Sequence, residues 1–100
     1  MDKILLKKEL GENILTRNSL SYFFKKKIDS SKSDELVLDF KGIKFISRSC
    51  AAEYIKLREN SNKVLIEKNM SNEIRAMFYV IIKQLKNSKF NFKKEIQLTN

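Results

Sequence analysis

The chain has 100 residues, of which 42% are hydrophobic and 33% charged, with a formal net charge of +9. That length suits one domain spanning 1–100 with a single core and no covalent staples, and no apolar run nears the ~18–20 residues of a membrane span. One cysteine, Cys50, and no histidine exclude an internal disulfide, a Ser-His-Asp or Cys-His catalytic arrangement and the usual zinc sites.

The opening "MDKILLKKEL" lacks the apolar core and small-residue cleavage site of a signal peptide. A reducing, cytoplasmic setting is therefore expected. "KILLKKEL" reads as a first strand. In "TRNSLSYFFKKKI", Thr16 or Asn18 can cap a helix whose buried stripe is Leu20, Phe23, Phe24 and Ile28, at helical spacing. Lys25 to Lys27 then fall in its last turn, where cations complement the helix dipole. "DSSKSD", Asp29 to Asp34, is a polar loop. It joins elements within one domain.

"ELVLDF", Glu35 to Phe40, is nearly all apolar, as a strand covered on both faces should be. "KGIKF" continues through a turn at Lys41–Gly42. "SCAAEYIKLREN" forms a second helix, with Cys50, Ala51, Tyr54, Ile55 and Leu57 on its inner side. "KVLIEK", Lys63 to Lys68, is another strand. Asn69 or Ser71 caps a third helix whose Ile74, Met77, Phe78, Ile81, Ile82 and Leu85 give the strongest period in the chain. The tail "EIQLTN" reads as a short edge strand. Strands alternating with helices imply an α/β fold with a mixed, largely parallel sheet and about three main helices. The unit from Glu35 to Lys68 should be a parallel β–α–β crossover.

Catalytic parts are few. Asp39, at a strand end, reads better as a hydrogen-bonded structural carboxylate than as a base. Cys50, beside two alanines, reads better as a small core residue than as a thiolate activated by Arg48 and a helix start. Gly11 and Gly42 are isolated and form no phosphate loop. Neither enzymatic activity nor a cofactor is expected. The start of the second helix is more informative. Ser47 and Ser49 flank it, and Ser49 is the candidate N-cap. Unpaired N–H groups and the positive end of the dipole favour an anion there, with Arg48 as a charge-assisted partner. A phosphoserine would bring about −1.5 to −2 charges to such a position.

The run "LVLDFKGIKFISRSCAAEY" resembles the central signature of the STAS superfamily, the sulphate-transporter and anti-sigma-factor-antagonist domains. It is most similar to the STAS-like domains of unknown function, whose pattern runs approximately "DF-g-v-f-is-S-F-a-d-E". The matching positions are Asp39, Phe40, Gly42, Phe45, Ile46, Ser47, Ser49, Cys50, Ala51 and Glu53. Arg17 in "TRNS" and Asn69 in "KNMSNEI" also fit. The resemblance spans roughly Lys3 to Leu85.

It implies a single small STAS-like domain, non-enzymatic and regulatory, that binds a protein partner such as a kinase or another signalling protein. In the antagonist branch a serine at the helix start is phosphorylated by a partner kinase, which releases the antagonist. Ser49 matches that serine, while Ser47, Arg48 and Cys50 depart from the branch's aspartate, first serine and glycine. Candidate phosphorylation or anion-binding residues are thus Ser49, Ser47 and Arg48, and candidate partner contacts are Arg48, Cys50 and Glu53.

A second reading is a basic nucleic-acid-binding protein using Lys25 to Lys27, Lys86, Lys89, Lys93 and Lys94. Against it, 17 of the 21 basic residues are lysine, a solvated point charge less suited than arginine to phosphates and base edges. A third reading places a small anion such as a nucleotide at the start of the second helix. The oligomeric state is open.

Overall fold

The computed structural model describes residues 2–88 and Phe92. The fold is α/β. Its main sheet has three strands, β1 (Asp2–Leu5), β3 (Glu35–Asp39) and β5 (Val64–Lys68), in the order β1-β3-β5. A second sheet joins β2 (Asn13–Ile14) to β4 (Phe45–Ile46). Every pairing among the described residues is parallel, with Leu38 of β3 aligned to Ile4 on one side and Glu67 on the other. The helices are α1 (Leu6–Leu10), α2 (Arg17–Phe23), α3 (Arg48–Asn60) and α4 (Asn72–Asn87). α3 packs between α2 and α4.

The first strand is shorter than the sequence suggests. Chain direction changes at Leu5, and Leu6–Leu10 is a helical turn and a half. Leu6 and Leu10 explain it: four residues apart, they lie on one helical face, Leu6 in the core and Leu10 packed against it. Gly11 ends the turn at φ +82°, its N–H bonded to Lys7 O at 2.8 Å.

Thr16 caps α2, accepting from Ser19 N. The helix then widens into a π-helical segment over Phe24–Asp29, which carries Lys25 to Lys27. The wider turn lets Phe23, Phe24 and Ile28 all reach the core.

In β3, alternation sends Leu36 and Leu38 to the core cluster, while Val37 and Asp39 on the opposite face are buried as well. The turn at Lys41–Gly42 is present, with Gly42 at φ +84°. Ser71, rather than Asn69, caps α4 by accepting from Ile74 N. Asn69 instead takes a left-handed conformation at φ 62°. On α4, Ile74, Phe78 and Ile81 are buried, and Met77, Ile82 and Leu85 pack at the edge of the core. On α3, Cys50, Ala51, Tyr54 and Ile55 are buried as expected, but Leu57 is only half-buried and Arg58 holds the inner position. The expected tail strand "EIQLTN" lies outside the described residues.

Tyr54 is the hub of the core. Its ring meets Phe24, Phe40 and Phe78 at centroid distances of 5.5, 5.9 and 5.2 Å, within the range where tilted and edge-on aromatic contacts are favourable.

Candidate functional site

α3 begins where two parallel strands end together. Ser47 N donates to Ile14 O at 3.0 Å, so the last residue of β2 holds the entry to α3. Ser47 is the N-cap: its backbone is extended, and its Oγ accepts from Cys50 N at 3.2 Å. The cap is therefore Ser47 and not Ser49. The reason is register: β4 ends at Ile46, so the first extended residue able to reach back over the helix start is Ser47. Ser49 sits one residue inside α3, exposed, with its Oγ 3.3 Å from Ser47 Oγ. Arg48 is exposed beside it and Glu53 is half-buried one turn on.

Cys50 is 0% exposed and belongs to the core. That corrects its place among the candidate partner contacts, because Cys50 lies four residues before buried Tyr54 and so shares its inward helical face. Ser47, Arg48, Ser49 and Glu53 remain around the helix start.

Tertiary structure adds two residues that were not among the candidate contacts. Pairing aligns Asn13 with Phe45 and Ile14 with Ile46. Ile14 and Ile46 are buried, so alternation turns Leu15, Phe45 and Ser47 to the outer side. Leu15 is 59% exposed and Phe45 47%. Phe45 also borders a depression of about 170 Å³ lined by Lys44, Glu73, Ile74 and half-buried Met77. Two large apolar side chains thus flank the serine pair. The available signal was "FIS" read as a strand end, which puts Phe45 and Ser47 on one face, but nothing in sequence pairs it with "NIL".

Asp39 sits at the end of β3 and is sealed in. Its Oδ1 accepts from Lys41 N and from Asn69 Nδ2, both at 2.9 Å, and Lys3 Nζ lies 3.2 Å from Oδ2. Burial alone would raise its carboxyl, but the bonds from Asn69, Lys41 and Lys3 outweigh that and hold it below the usual carboxylate value. The group is a structural tie between β1, β3 and the β5–α4 connection.

The lysines of the nucleic-acid reading are placed in part. Lys27 faces Glu9 at 3.9 Å, Lys26 lies over the Tyr22 ring at 5.8 Å, and Lys86 lies over the Phe92 ring at 5.8 Å. Lys89, Lys93 and Lys94 lie outside the described residues. Among those described, no three Cys, Asp or Glu side chains gather as a metal site, and no helix is long and apolar enough to cross a membrane. Comparison with known proteins finds no matching family model, no matching curated protein and no matching solved structure.

Proposed function

We propose that this chain is a non-enzymatic regulatory domain of STAS-like type, acting in the cytoplasm by binding a protein partner through the face around the start of α3. One observation carries the reading: exposed Ser49, at the second position of a thirteen-residue helix, stands beside a surface bearing Leu15 and Phe45. Aromatic and large aliphatic side chains make the anchors of protein interfaces. A hydroxyl placed next to such anchors is well sited to control them. The dipole at the helix start accommodates negative charge, so phosphorylated Ser49 would be tolerated by the fold. A partner resting on Phe45 would meet about −1.5 to −2 new charges. Arg48, exposed and next to it in the chain, is a cation placed to receive them. The resemblance of "LDFKGIKFISRSCAAEY" to the STAS-like signature points the same way.

Capture of the tagged protein from its own cells, with phosphosite mapping on the same sample, tests this. A partner retained by the wild type should be lost with Phe45→Ala and with Ser49→Asp, and kept with Tyr79→Ala on α4. A partner set indifferent to both Leu15→Ala and Phe45→Ala would overturn the contact face. An unmodified Ser49, with Ser49→Asp silent, would remove the switch.

A further inference from the structure

Where β1 and β3 end, the surface opens into a shallow cleft of about 470 Å³ lined by Leu5, Lys7, Lys8, Lys41 and Gly42. Its floor is apolar for a local reason. Gly42 carries no side chain, and a Cβ there would lie 2.8 Å from Lys7 Cδ. The Lys7 stem therefore lies flat across the turn, next to Leu5, which is 49% exposed. The rim is cationic. Lys7 and Lys44 share Glu12, at 3.5 and 3.7 Å, whereas the Lys8 and Lys41 side chains make no ion pair among the described residues.

We infer that this cleft receives an acidic segment of the protein partner, with one apolar side chain on the floor formed by Leu5 and the Lys7 stem and flanking carboxylates on Lys8 and Lys41. The inference rests on the protein-partner reading above and names what the partner must carry. Charge selects the occupant. A second copy of a +9 chain would bring like charge to a lysine rim. Residues 89–100, with Lys89, Lys93 and Lys94 against the single Glu95, are no better.

The lining selects among anions. Among the described residues no arginine lines the cleft, so they do not supply the planar fork that fixes a phosphate in one geometry. Among the described residues no aromatic side chain lines it either, so they offer no platform for stacked bases. Lysines on flexible stems around an apolar floor suit several carboxylates held loosely about one buried side chain. An ion-pair link joins the cleft to the contact face. Lys44, which shares Glu12 with Lys7, immediately precedes Phe45. One partner can therefore set an apolar anchor on Phe45 and an acidic segment in the cleft.

The test is an amide chemical-shift titration of the ¹⁵N-labelled full chain with a synthetic peptide of Asp and Glu residues around one central Leu. Parallel titrations use the same peptide with Ser for Leu, inorganic pyrophosphate and a single-stranded oligonucleotide. The expected result is saturable shifts at Leu5, Lys7, Lys8, Lys41 and Gly42. Affinity should drop about tenfold or more in the Lys8→Glu/Lys41→Glu double variant, since each exposed pair is modest alone and reversal adds repulsion. It should also fall with added salt and with the Ser peptide. Both substitutions are exposed, and the variant's unperturbed spectrum elsewhere verifies its fold.

Absence of shifts at these residues overturns the inference. So does equal binding of the Leu and Ser peptides, or stronger binding of pyrophosphate or the oligonucleotide at the same residues. Cellular capture separates the two readings. A Phe45-dependent partner that survives Lys8→Glu/Lys41→Glu defeats the acidic segment and leaves the contact face standing. Loss of any Phe45 dependence defeats the contact face, whatever the peptide does.

Discussion

Arg58 Nε lies 2.7 Å from Glu67 Oε2, and both side chains are buried. Arg58 Nη2 donates to Glu67 Oε1 at 3.2 Å and to Leu65 O at 2.9 Å, while the Tyr54 hydroxyl donates to Glu67 Oε2 at 2.6 Å. This network bolts the later turns of α3 to β5, and so helps to hold the helix whose first turn presents Ser49. Burial by itself would lower the Arg58 pKa, but Glu67 reverses that and raises it, keeping the guanidinium charged.

Removing one member of this network should cost more than removing the charged pair. Glu67→Ala strands a buried guanidinium and is expected to destabilise by about 3–5 kcal/mol, whereas Arg58→Met with Glu67→Leu leaves only the Tyr54 hydroxyl without its acceptor and should cost about 1–3 kcal/mol. Urea denaturation of the single and double variants measures both. A double variant as unstable as Glu67→Ala would show that the pair contributes more than mutual compensation.

Tyr54 should report on alkaline pH. Burial, followed by the charge and hydrogen bond of Glu67, pushes its phenol well above the ordinary value near 10. The unfolded chain therefore loses this proton first. Stability from the shift is complete below about pH 10 and declines as pH rises from there toward the folded-state value. Tyr54→Phe should abolish that part of the decline, and at neutral pH it should cost about 1.5–3 kcal/mol for a hydrogen bond to a charged group. Thermal melts of both proteins between pH 8 and 11 (on the order of the window set by that ordinary value) compare the slopes.

Asp39 should act at the acid end. Its folded-state value is depressed, so its stabilisation is present above the ordinary carboxylate value of about 3.9 and is lost as pH falls through the lower folded-state value. Asp39→Asn should be less stable at neutral pH, because the Lys3 pair is gone, and should lack this acid-dependent component. Denaturation midpoints taken from neutral pH downward decide it.

The two serines should separate cleanly. Ser47→Ala removes the α3 cap and is expected to cost about 0.5–2 kcal/mol. Ser49→Ala removes only an exposed hydroxyl and should stay within about ±0.5 kcal/mol. Chemical denaturation checks the pair, and a larger loss at Ser49 would reverse the assignment of the cap.

Gly42→Ala is expected to destabilise by about 1–2 kcal/mol, because a side chain at φ +84° is strained. It should also push the Lys7 stem off the turn. The acidic peptide of the cleft titration should then bind this variant more weakly, even where it remains fully folded.

Local rules carried much of this molecule. The stripe from Ile74 to Leu85, the run at Leu36–Phe40 and, apart from its cap and Leu57, the helix after Ser47 are as their spacing implies, because burying apolar side chains on a 3.6- or 2-residue period leaves few alternatives. Short elements were a different matter. β2 and β4 have two residues each, too few to show a period, and they exist because parallel pairing joins positions 32 residues apart in the chain. Leu6 and Leu10 could serve a strand or a helix, and only packing against the core chose the helix.

Leu15 and Phe45 flank the serines for the same non-local reason. So does the buried network. Arg58 follows Tyr54 by four residues, and Glu67 shares a strand face with Leu65, so each was placed inward by its own period. Composition alone would have left both charges in water. Their meeting 2.7 Å apart required α3 and β5 to be brought together. Periodicity says which way a side chain points, and tertiary packing says what it finds there.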